Sequence, residues 1–402
     1  MSGHVGDLSP KQEQVLQQFR EVCADLLRND DDDYYCLRWL RARNFDIQQA
    51  KEMLKKSLAW RKSNNIDSLL TEYTPPPFLA KNLIGGLYGV DKNGGPVWIY
   101  PFANVTIKSL MRGCTAKDIL TLMAYRCEIG VKVMEEQTKK LGKHVETQTV
   151  IFDFADFSMM QALTGDALAI LGGFLRMYEA NYPERLQHAF VINVPSLFSV
   201  FFNLVKPLLN GTTLQKVSVY GKDQWKEALL KQIDPDQLPK HWGGNCVDEK
   251  TGDPRCNSHI TVWTPIREDE YVRRNSLNGA DSVNGADSVQ STTVSVERRS
   301  CLEVPVTVDQ GGSRLCWQFE TEDHDIGFSV TARASGSGDE VVVQPWERED
   351  SHLRPRDGSV FCQETGTYVL KFDNTFSACR SKKLTYAFQV IPPTTNQVIA
   401  DA

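Results

Sequence analysis

The sequence predicts an α/β domain that is preceded by a helical subdomain and followed by an all-β sandwich. Helical patterns dominate the first part of the chain, β-rich runs alternate with helices in the middle, and strand patterns separated by Gly and Pro fill the end. The alternation of strands and helices in the middle is typical of a largely parallel sheet, and the closely spaced strands at the end are typical of an antiparallel sandwich. The predicted segments are a helical subdomain at 1–73, an α/β domain at 74–247, a flexible linker at 248–292, a β-sandwich at 293–393 and a tail at 394–402.

The helical subdomain is predicted from end signals and from apolar spacing. A helix over Tyr34–Ala42 follows the acidic run Asp30–Asp33, and Asp46 with Gln49 forms a possible capping box for the next helix. Five apolar side chains of that second helix share one face: Ile47, Ala50, Met53, Leu54 and Leu58.

The α/β domain is predicted from four β-rich runs, at Pro96–Tyr100, Thr149–Phe154, Ala189–Val194 and Val217–Tyr220. Helices are expected near 116–140, 158–181, 195–209 and 223–232. A tight-turn sequence at 91–95 predicts a hairpin between Leu87–Val90 and Val97–Tyr100, so the sheet should be mixed, with the hairpin at one edge.

The linker prediction rests on Trp242-Gly243-Gly244 and on a perfect six-residue duplication at 278–283 and 284–289. Beyond it six strands are expected, at Glu303–Val308, Arg314–Glu320, Ile326–Ala332, Glu340–Val343, Thr367–Asp373 and Leu384–Ile391.

Composition and charge limit the function classes. Residues 75–247 carry a net charge of +3 and residues 248–402 carry −8, so no strongly basic face suits a nucleic acid, whereas contact with an anionic membrane surface is compatible. The apolar stretch Val191–Leu209 is interrupted by polar residues and prolines, and the N-terminus lacks a signal-peptide pattern. We therefore expect a cytoplasmic protein without a transmembrane helix, whose ten cysteines remain thiols.

The usual catalytic motifs are absent from the sequence. It has no glycine-rich nucleotide loop, no nucleophile elbow and no zinc-protease motif, and its seven histidines are dispersed. His324 between Asp323 and Asp325 is the nearest approach to a metal cluster, but adjacent residues of a loop point apart. The sequence predicts neither an enzyme nor a metal or cofactor site.

One segment carries a family resemblance. Leu37–Asp46, which reads LRWLRARNFD, resembles the N-terminal helical part of CRAL-TRIO lipid-transfer proteins. The resemblance continues over about residues 8–247 through Asn181–Arg185, Asn193–Pro195, Lys206-Pro207, Lys216 and His241–Gly244. The segment 366–377 resembles a GOLD domain, a jelly-roll-like sandwich. The pair of modules is similar to Sec-fourteen-like carriers, and this implies a gated pocket for a hydrophobic lipid that is exchanged or presented at membranes through transient contact.

The helix expected at 195–209 has apolar residues on two faces, and such a helix does not simply lie on a surface. A buried core helix and a mobile lid both fit this pattern, and the resemblance implies the lid. The side chains predicted to form the pocket and its gate are Val150, Phe152, Phe154, Phe174, Ile192, Phe198, Phe201, Phe202 and Val205.

The resemblance also implies a lipid-headgroup site, with Arg43 and Lys216 pairing with a phosphate and with Glu184 and Thr213 binding inositol hydroxyls. The alternative is a purely structural ion pair of Glu184 or Arg43. Asn44, Gln148 and Val150 depart from the family pattern and disfavour phosphatidylcholine. The expected cargo is a neutral isoprenoid such as squalene or tocopherol, or a phosphoinositide.

Two further expectations concern regulation. A rival to the carrier is a lipid-responsive scaffold or sensor that acts on a membrane enzyme or on trafficking, with a protein partner bound through the GOLD-like domain. Arg273-Arg274-Asn275-Ser276 resembles a site for basophilic kinases, so Ser276 is a candidate phosphorylation site.

Overall fold

A computed structural model describes residues 2–267, 291–334, 340–353 and 355–393 of the 402-residue chain. The duplicated hexapeptide, Ser276 and the tail at 394–402 lie outside the described residues. Within the described part no helix is both long and apolar enough to cross a bilayer.

The helical subdomain is built from α1 (Pro10–Val22), α2 (Asp33–Arg41) and α3 (Ile47–Ser63). The α3 prediction is confirmed, because the Asp46 side chain accepts the Gln49 backbone N–H at 2.9 Å and caps the helix. The apolar stripe predicted for α3 packs against α1 and α2, with Leu54 fully buried. A short helix, α4 (Leu69–Glu72), follows.

The α/β domain contains helices α5 (Pro77–Asn82), α6 (Ile107–Gly113), α7 (Ala116–Leu141), α8 (Met159–Ala162), α9 (Gly165–Asn181), α10 (Phe198–Val205), α11 (Gly211–Gln215) and α12 (Trp225–Gln232). Its strands are β1 (Gly86–Val90), β2 (Pro96–Pro101), β3 (Gln148–Asp153), β4 (Leu186–Ile192) and β5 (Val217–Val219). The single helix predicted at 158–181 is divided, because Thr164 begins a new helix by accepting the Ala167 N–H.

The strands form one mixed sheet in the order β1-β2-β3-β4-β5. The predicted hairpin is confirmed, since β1 pairs antiparallel with β2 and the other neighbours are parallel. Asp91 holds its turn by accepting hydrogen bonds from Gly95 N–H and from the Thr149 hydroxyl. One face of the sheet packs on α12, and the other faces α7, α9 and α10.

The segment after Gly244 corrects the predicted linker. Residues 248–263 pack onto the α/β domain, where Cys256 and Ile260 are fully buried and Gly85 N–H donates to the Thr261 carbonyl at 2.8 Å. Asp248 organises the segment by accepting the Ser258 N–H, a hydrogen bond that holds the pKa of this carboxyl well below its ordinary value. The Gly, Asp and Asn residues of this segment form fixed turns.

The predicted antiparallel β-sandwich is confirmed. Within the described residues its strands are β6 (Thr292–Val296), β7 (Cys301–Val308), β8 (Ser313–Thr321), β9 (Ile326–Ala334), β10 (Val341–Glu349), β11 (Arg356–Cys362), β12 (Gly366–Asp373) and β13 (Lys382–Ile391). They form two four-stranded sheets, in the orders β10-β9-β12-β7 and β11-β8-β13-β6. The core between the sheets is aromatic, with Phe319, Phe328 and Phe372 in mutual contact.

One sheet of the sandwich packs on the α/β domain. Gln318 of β8 is 1% exposed, accepts the backbone N–H of Met159 and Met160 at the start of α8, and donates to the Phe157 carbonyl at 3.2 Å. Ser196, just before α10, donates to the Trp317 carbonyl at 3.3 Å. The two domains therefore share a hydrogen-bonded interface beside α8 and α10.

Candidate functional site

A largely apolar cavity lies between the sheet and helices α7, α9 and α10, and its volume is ≈ 320 Å³. Pockets for small lipophilic molecules have this character, with a mostly apolar lining and a few placed polar groups. Eight of the nine side chains predicted for pocket and gate line it: Val150, Phe152, Phe154, Phe174, Phe198, Phe201, Phe202 and Val205.

Ile192 is the exception and corrects the prediction. It is fully buried on the opposite face of the sheet, in the core formed with α12, whereas Val191 lines the cavity. Successive side chains of a strand point to opposite faces. The apolar run over β4 is buried on both faces, so hydrophobicity alone could not assign Ile192 and Val191 to their sides.

Helix α10 forms one wall of the cavity. Phe198 is buried against Phe154, with ring centroids 5.3 Å apart, while Phe201 and Phe202 are only partly buried. Leu197 and Val200 belong to the apolar cluster that also contains Cys316 and Ala387 of the sandwich. This helix therefore belongs to a continuous apolar cluster that extends from the cavity wall to the second domain.

A chain of three polar side chains lies within the lining. Trp98 Nε1 donates to Gln148 Oε1 at 3.1 Å, and Gln148 Nε2 donates to the Tyr178 hydroxyl oxygen at 3.1 Å. Burial raises the pKa of the Tyr178 hydroxyl, so this group is protonated throughout the physiological range. The cavity therefore holds a neutral hydroxyl among apolar side chains.

Arg126 of α7 also borders the cavity. Its guanidinium donates to the carbonyls of Ile84 at 2.7 Å and Leu83 at 2.9 Å, and it lies 5.8 Å from the centre of the Tyr100 ring. The Arg126 guanidinium is therefore hydrogen-bonded to the chain segment that leads into β1.

The structure brings three of the four predicted headgroup residues into one region. Lys216 Nζ lies 3.4 Å from Glu184 Oε2, and Thr213 of α11 lines the cavity while its carbonyl accepts the Lys216 backbone N–H at 3.0 Å. Arg43 is not in contact with Glu184 among the described contacts, and its guanidinium donates instead to the Ala42 carbonyl at 2.8 Å. Arg41 Nε is the arginine atom near Glu184, at 4.0 Å.

Buried arginines surround this region. Burial, together with the nearby Arg185 charge, lowers the pKa of Arg38 to about 9. Burial would raise the pKa of Glu146, but the charges of Arg41, His4 and Arg185 outweigh it and leave this pKa below its ordinary value. Arg41 lies 3.0 Å from Glu146. Glu146 therefore neutralises part of the positive charge that Arg38, Arg41 and Arg185 bring to this region.

Comparison with known proteins identifies the domains. The model of the CRAL/TRIO domain matches residues 80–244, and the model of the CRAL/TRIO N-terminal domain matches residues 11–56. The chain belongs to the CRAL/TRIO family. Members of this family bind small lipophilic molecules and transfer them, and the apolar cavity lies inside the matched region.

The relatives of this CRAL/TRIO protein include two from Caenorhabditis elegans. Protein ctg-1 is 27% identical over 383 residues, which cover 94% of this chain and 96% of the relative. The CRAL-TRIO domain-containing protein T23G5.2 is 29% identical over 331 residues, which cover 81% of this chain and 44% of the relative. The crystal structure of Sfh5 matches 65% of this chain and 95% of its own at 17% identity, with a TM-score of 0.49.

Several residues that line the cavity of this CRAL/TRIO protein were not predicted from the sequence. Tyr178, Arg126 and Trp263 all border the cavity, and Trp263 does so from the segment predicted to be linker. A Tyr four residues after Phe174 on one helix was the available signal for Tyr178, because residues four apart share a helix face. No comparable signal marked Arg126 or Trp263.

Proposed function

We propose that this CRAL/TRIO protein is a carrier that holds a hydrophobic lipid in the cavity and exchanges or presents it at membranes, with α10 as the gate. The supporting observation is that α10 walls the cavity with Phe198, Phe201, Phe202 and Val205, two of which are only partly buried. A helix that covers an apolar cavity must move before a lipid passes through that wall.

The proposed cargo is a neutral isoprenoid, such as squalene or tocopherol, or a phosphatidylinositol. Removing about sixteen methylenes from water is worth roughly 12 kcal/mol, and a bilayer offers almost the same gain. Exchange is therefore nearly balanced in its apolar part, and selectivity depends on cavity shape and on a few polar contacts. For a phosphatidylinositol we propose Arg43, Glu184, Thr213 and Lys216 as headgroup ligands.

The proposed setting is the cytoplasm, with transient membrane contact and with the lipid as the cargo and not as a substrate of catalysis. The net charge of +3 over residues 75–247 suits approach to an anionic surface.

A lipid-responsive sensor is the second candidate, and the interface between the domains favours it. Because Gln318 and Trp317 contact the segments that begin α8 and precede α10, lipid-dependent movement of the gate would reach the sandwich. We propose that the sandwich is a GOLD domain that passes this change to a protein partner.

Vesicle transfer tests the carrier and its gate. Phe201→Asp or Phe202→Asp places a carboxylate in the apolar wall, so we expect transfer of a fluorescent neutral lipid between donor and acceptor vesicles to slow by about tenfold, with the fold intact by circular dichroism. Phe361→Asp is the matched control, since Phe361 is 55% exposed on the sandwich. Unchanged transfer by both gate variants would refute the gate, whereas tight binding without any transfer would favour the sensor.

A further inference from the structure

We infer that the cavity selects neutral lipids that carry a hydrogen-bond-accepting oxygen, and that the Tyr178 hydroxyl is the specificity-determining donor. This inference deepens the proposed function, because it assigns a chemical class to the cargo of the same cavity. The selected class includes ketones, quinones, esters and ethers with an apolar body, so among the proposed isoprenoid cargoes it favours tocopherol over squalene, which is a pure hydrocarbon.

The direction of the hydrogen bonds follows from Trp98. An indole N–H is only a donor, so the atom of Gln148 that lies 3.1 Å from Trp98 Nε1 must be the amide oxygen. The amide nitrogen then faces Tyr178, 3.1 Å from its hydroxyl oxygen, and it has hydrogens to donate. The orientation of the Gln148 amide is therefore fixed by chemistry.

Tyr178 must consequently be the acceptor in its bond with Gln148. Its own O–H points away from the amide, and among the residues that the structure describes this hydroxyl makes no second hydrogen bond. A buried donor without an acceptor is costly, and nearly all such groups in folded proteins find a partner. A water molecule or an oxygen of the bound lipid can fill this position.

The Tyr178 ring is held in place by its neighbours. Phe174 lies 5.8 Å from it and Tyr182 lies 5.9 Å from it, both measured between ring centroids. Tyr182 is itself fixed, because its hydroxyl donates to Glu128 Oε1 at 2.7 Å. The donor is thus oriented before the lipid enters, and an oriented group loses little freedom on binding.

The surroundings favour a neutral acceptor over an anion. Arg126, the cation of the lining, already donates to three backbone carbonyls, those of Leu83, Ile84 and Gly85. Glu179 adds a carboxylate to the same lining, and one of its oxygens, Oε1, is buried without a hydrogen-bond partner. An anionic group drawn into this cavity would lose its hydration without gaining a free positive counter-charge.

The test compares two ligands that differ in one group, an isoprenoid methyl ketone and the hydrocarbon of the same chain length. We expect the full-length protein, stripped of lipid, to bind the ketone about tenfold more tightly, the size of effect that one hydrogen bond gives. Tyr178→Phe should remove this preference while leaving hydrocarbon affinity within about twofold. Tyr220→Phe is the control, because Tyr220 packs on the opposite face of the sheet.

Infrared spectroscopy of the bound ketone gives a readout that a purely structural role would not move. A hydrogen bond from Tyr178 should shift the carbonyl stretch of the ketone to lower frequency in the unaltered protein, and Tyr178→Phe should restore the position seen in alkane solvent. Equal affinities for the two ligands, an unshifted carbonyl band, or a preference that survives in Tyr178→Phe would overturn the inference. Failure of the unaltered protein to bind either ligand would instead refute the neutral isoprenoid as the cargo in the proposed function.

Discussion

Glu184 is the residue on which the headgroup proposal depends, because two cations lie near its carboxylate. Lys216 is 3.4 Å away and Arg41 is 4.0 Å away, while the Glu184 side chain is only 12% exposed. A partly buried carboxylate with two basic neighbours can form a structural ion pair or can share its cations with a phosphate. The structure shows the Glu184–Lys216 ion pair, so binding measurements must separate the two roles.

Replacement of Arg43 and Lys216 distinguishes a structural ion pair from a phosphate-binding site. If these residues hold an inositol phosphate, Lys216→Ala combined with Arg43→Ala should weaken phosphatidylinositol binding at least tenfold and leave neutral-lipid binding unchanged, because the cavity wall is intact. Lipid-overlay or vesicle co-sedimentation assays measure both affinities. Lys231→Ala is the control, as the Lys231 side chain is 71% exposed. Unaltered binding of both lipids by the double variant would show that the residues are structural.

Single residues also show what the sequence could not determine. The aromatic residues of α10 were assigned to the cavity because their spacing defines a helix face and because the family resemblance implies a lid there; both the core helix and the lid fitted the spacing alone. Ile192 was misplaced because both faces of β4 are buried. The hydrogen bond between Gln148 and Tyr178 could not be predicted, because the two residues lie 30 positions apart in sequence. Contacts between distant segments leave no local periodic pattern.

At the scale of elements, α8 depends on a residue from the other domain. This four-residue helix has no side-chain cap of its own, and Gln318 of β8 accepts the backbone N–H groups of Met159 and Met160. The first N–H groups of a helix have no partner within it and need an external acceptor. Gln318 therefore takes the place of a local capping residue.

Gln318→Leu should weaken α8 and the interface together. Two buried N–H groups would lose their acceptor, so we expect a loss of about 1–3 kcal/mol in unfolding free energy and faster hydrogen exchange at Met159 and Met160. Denaturant unfolding and exchange mass spectrometry measure these effects. Gln363→Leu, at an exposed position, is the control. Exchange at Met159 and Met160 that matches the unaltered protein would contradict this capping role.

Strand prediction found six of the eight sandwich strands that the structure describes. Strands β7, β8, β9, β10, β12 and β13 were anticipated, β10 only over Glu340–Val343, whereas β6 and β11 were not. Both missed strands lie at the edges of one sheet, where β6 is largely exposed and β11 contains Arg356, Asp357 and Gly358. Edge strands bury fewer apolar side chains, so their composition resembles that of loops.

At the scale of the whole molecule, the gate lies between two apolar environments. Leu197 and Val200, beside and within α10, pack in one cluster with Cys316, Ala387 and Ile391 of the sandwich, while Phe198 and Phe201 face the cavity. Movement of α10 outward must therefore disturb the contact with the sandwich. The free energy of domain docking thus contributes to the closed position of the gate.

A charge placed in this contact should separate the domains. Ala387 is 2% exposed, so Ala387→Arg would bury a guanidinium without a partner, and we expect the sandwich to detach while both domains stay folded. Small-angle X-ray scattering should show a larger radius of gyration, and binding to anionic vesicles should increase because α10 and Leu197 become accessible. Val342→Arg is the control, since Val342 is 61% exposed. An unchanged radius of gyration with full stability would mean that the interface tolerates the charge and does not restrain α10. A larger radius without increased vesicle binding would show that the sandwich does not cover the membrane-contacting face.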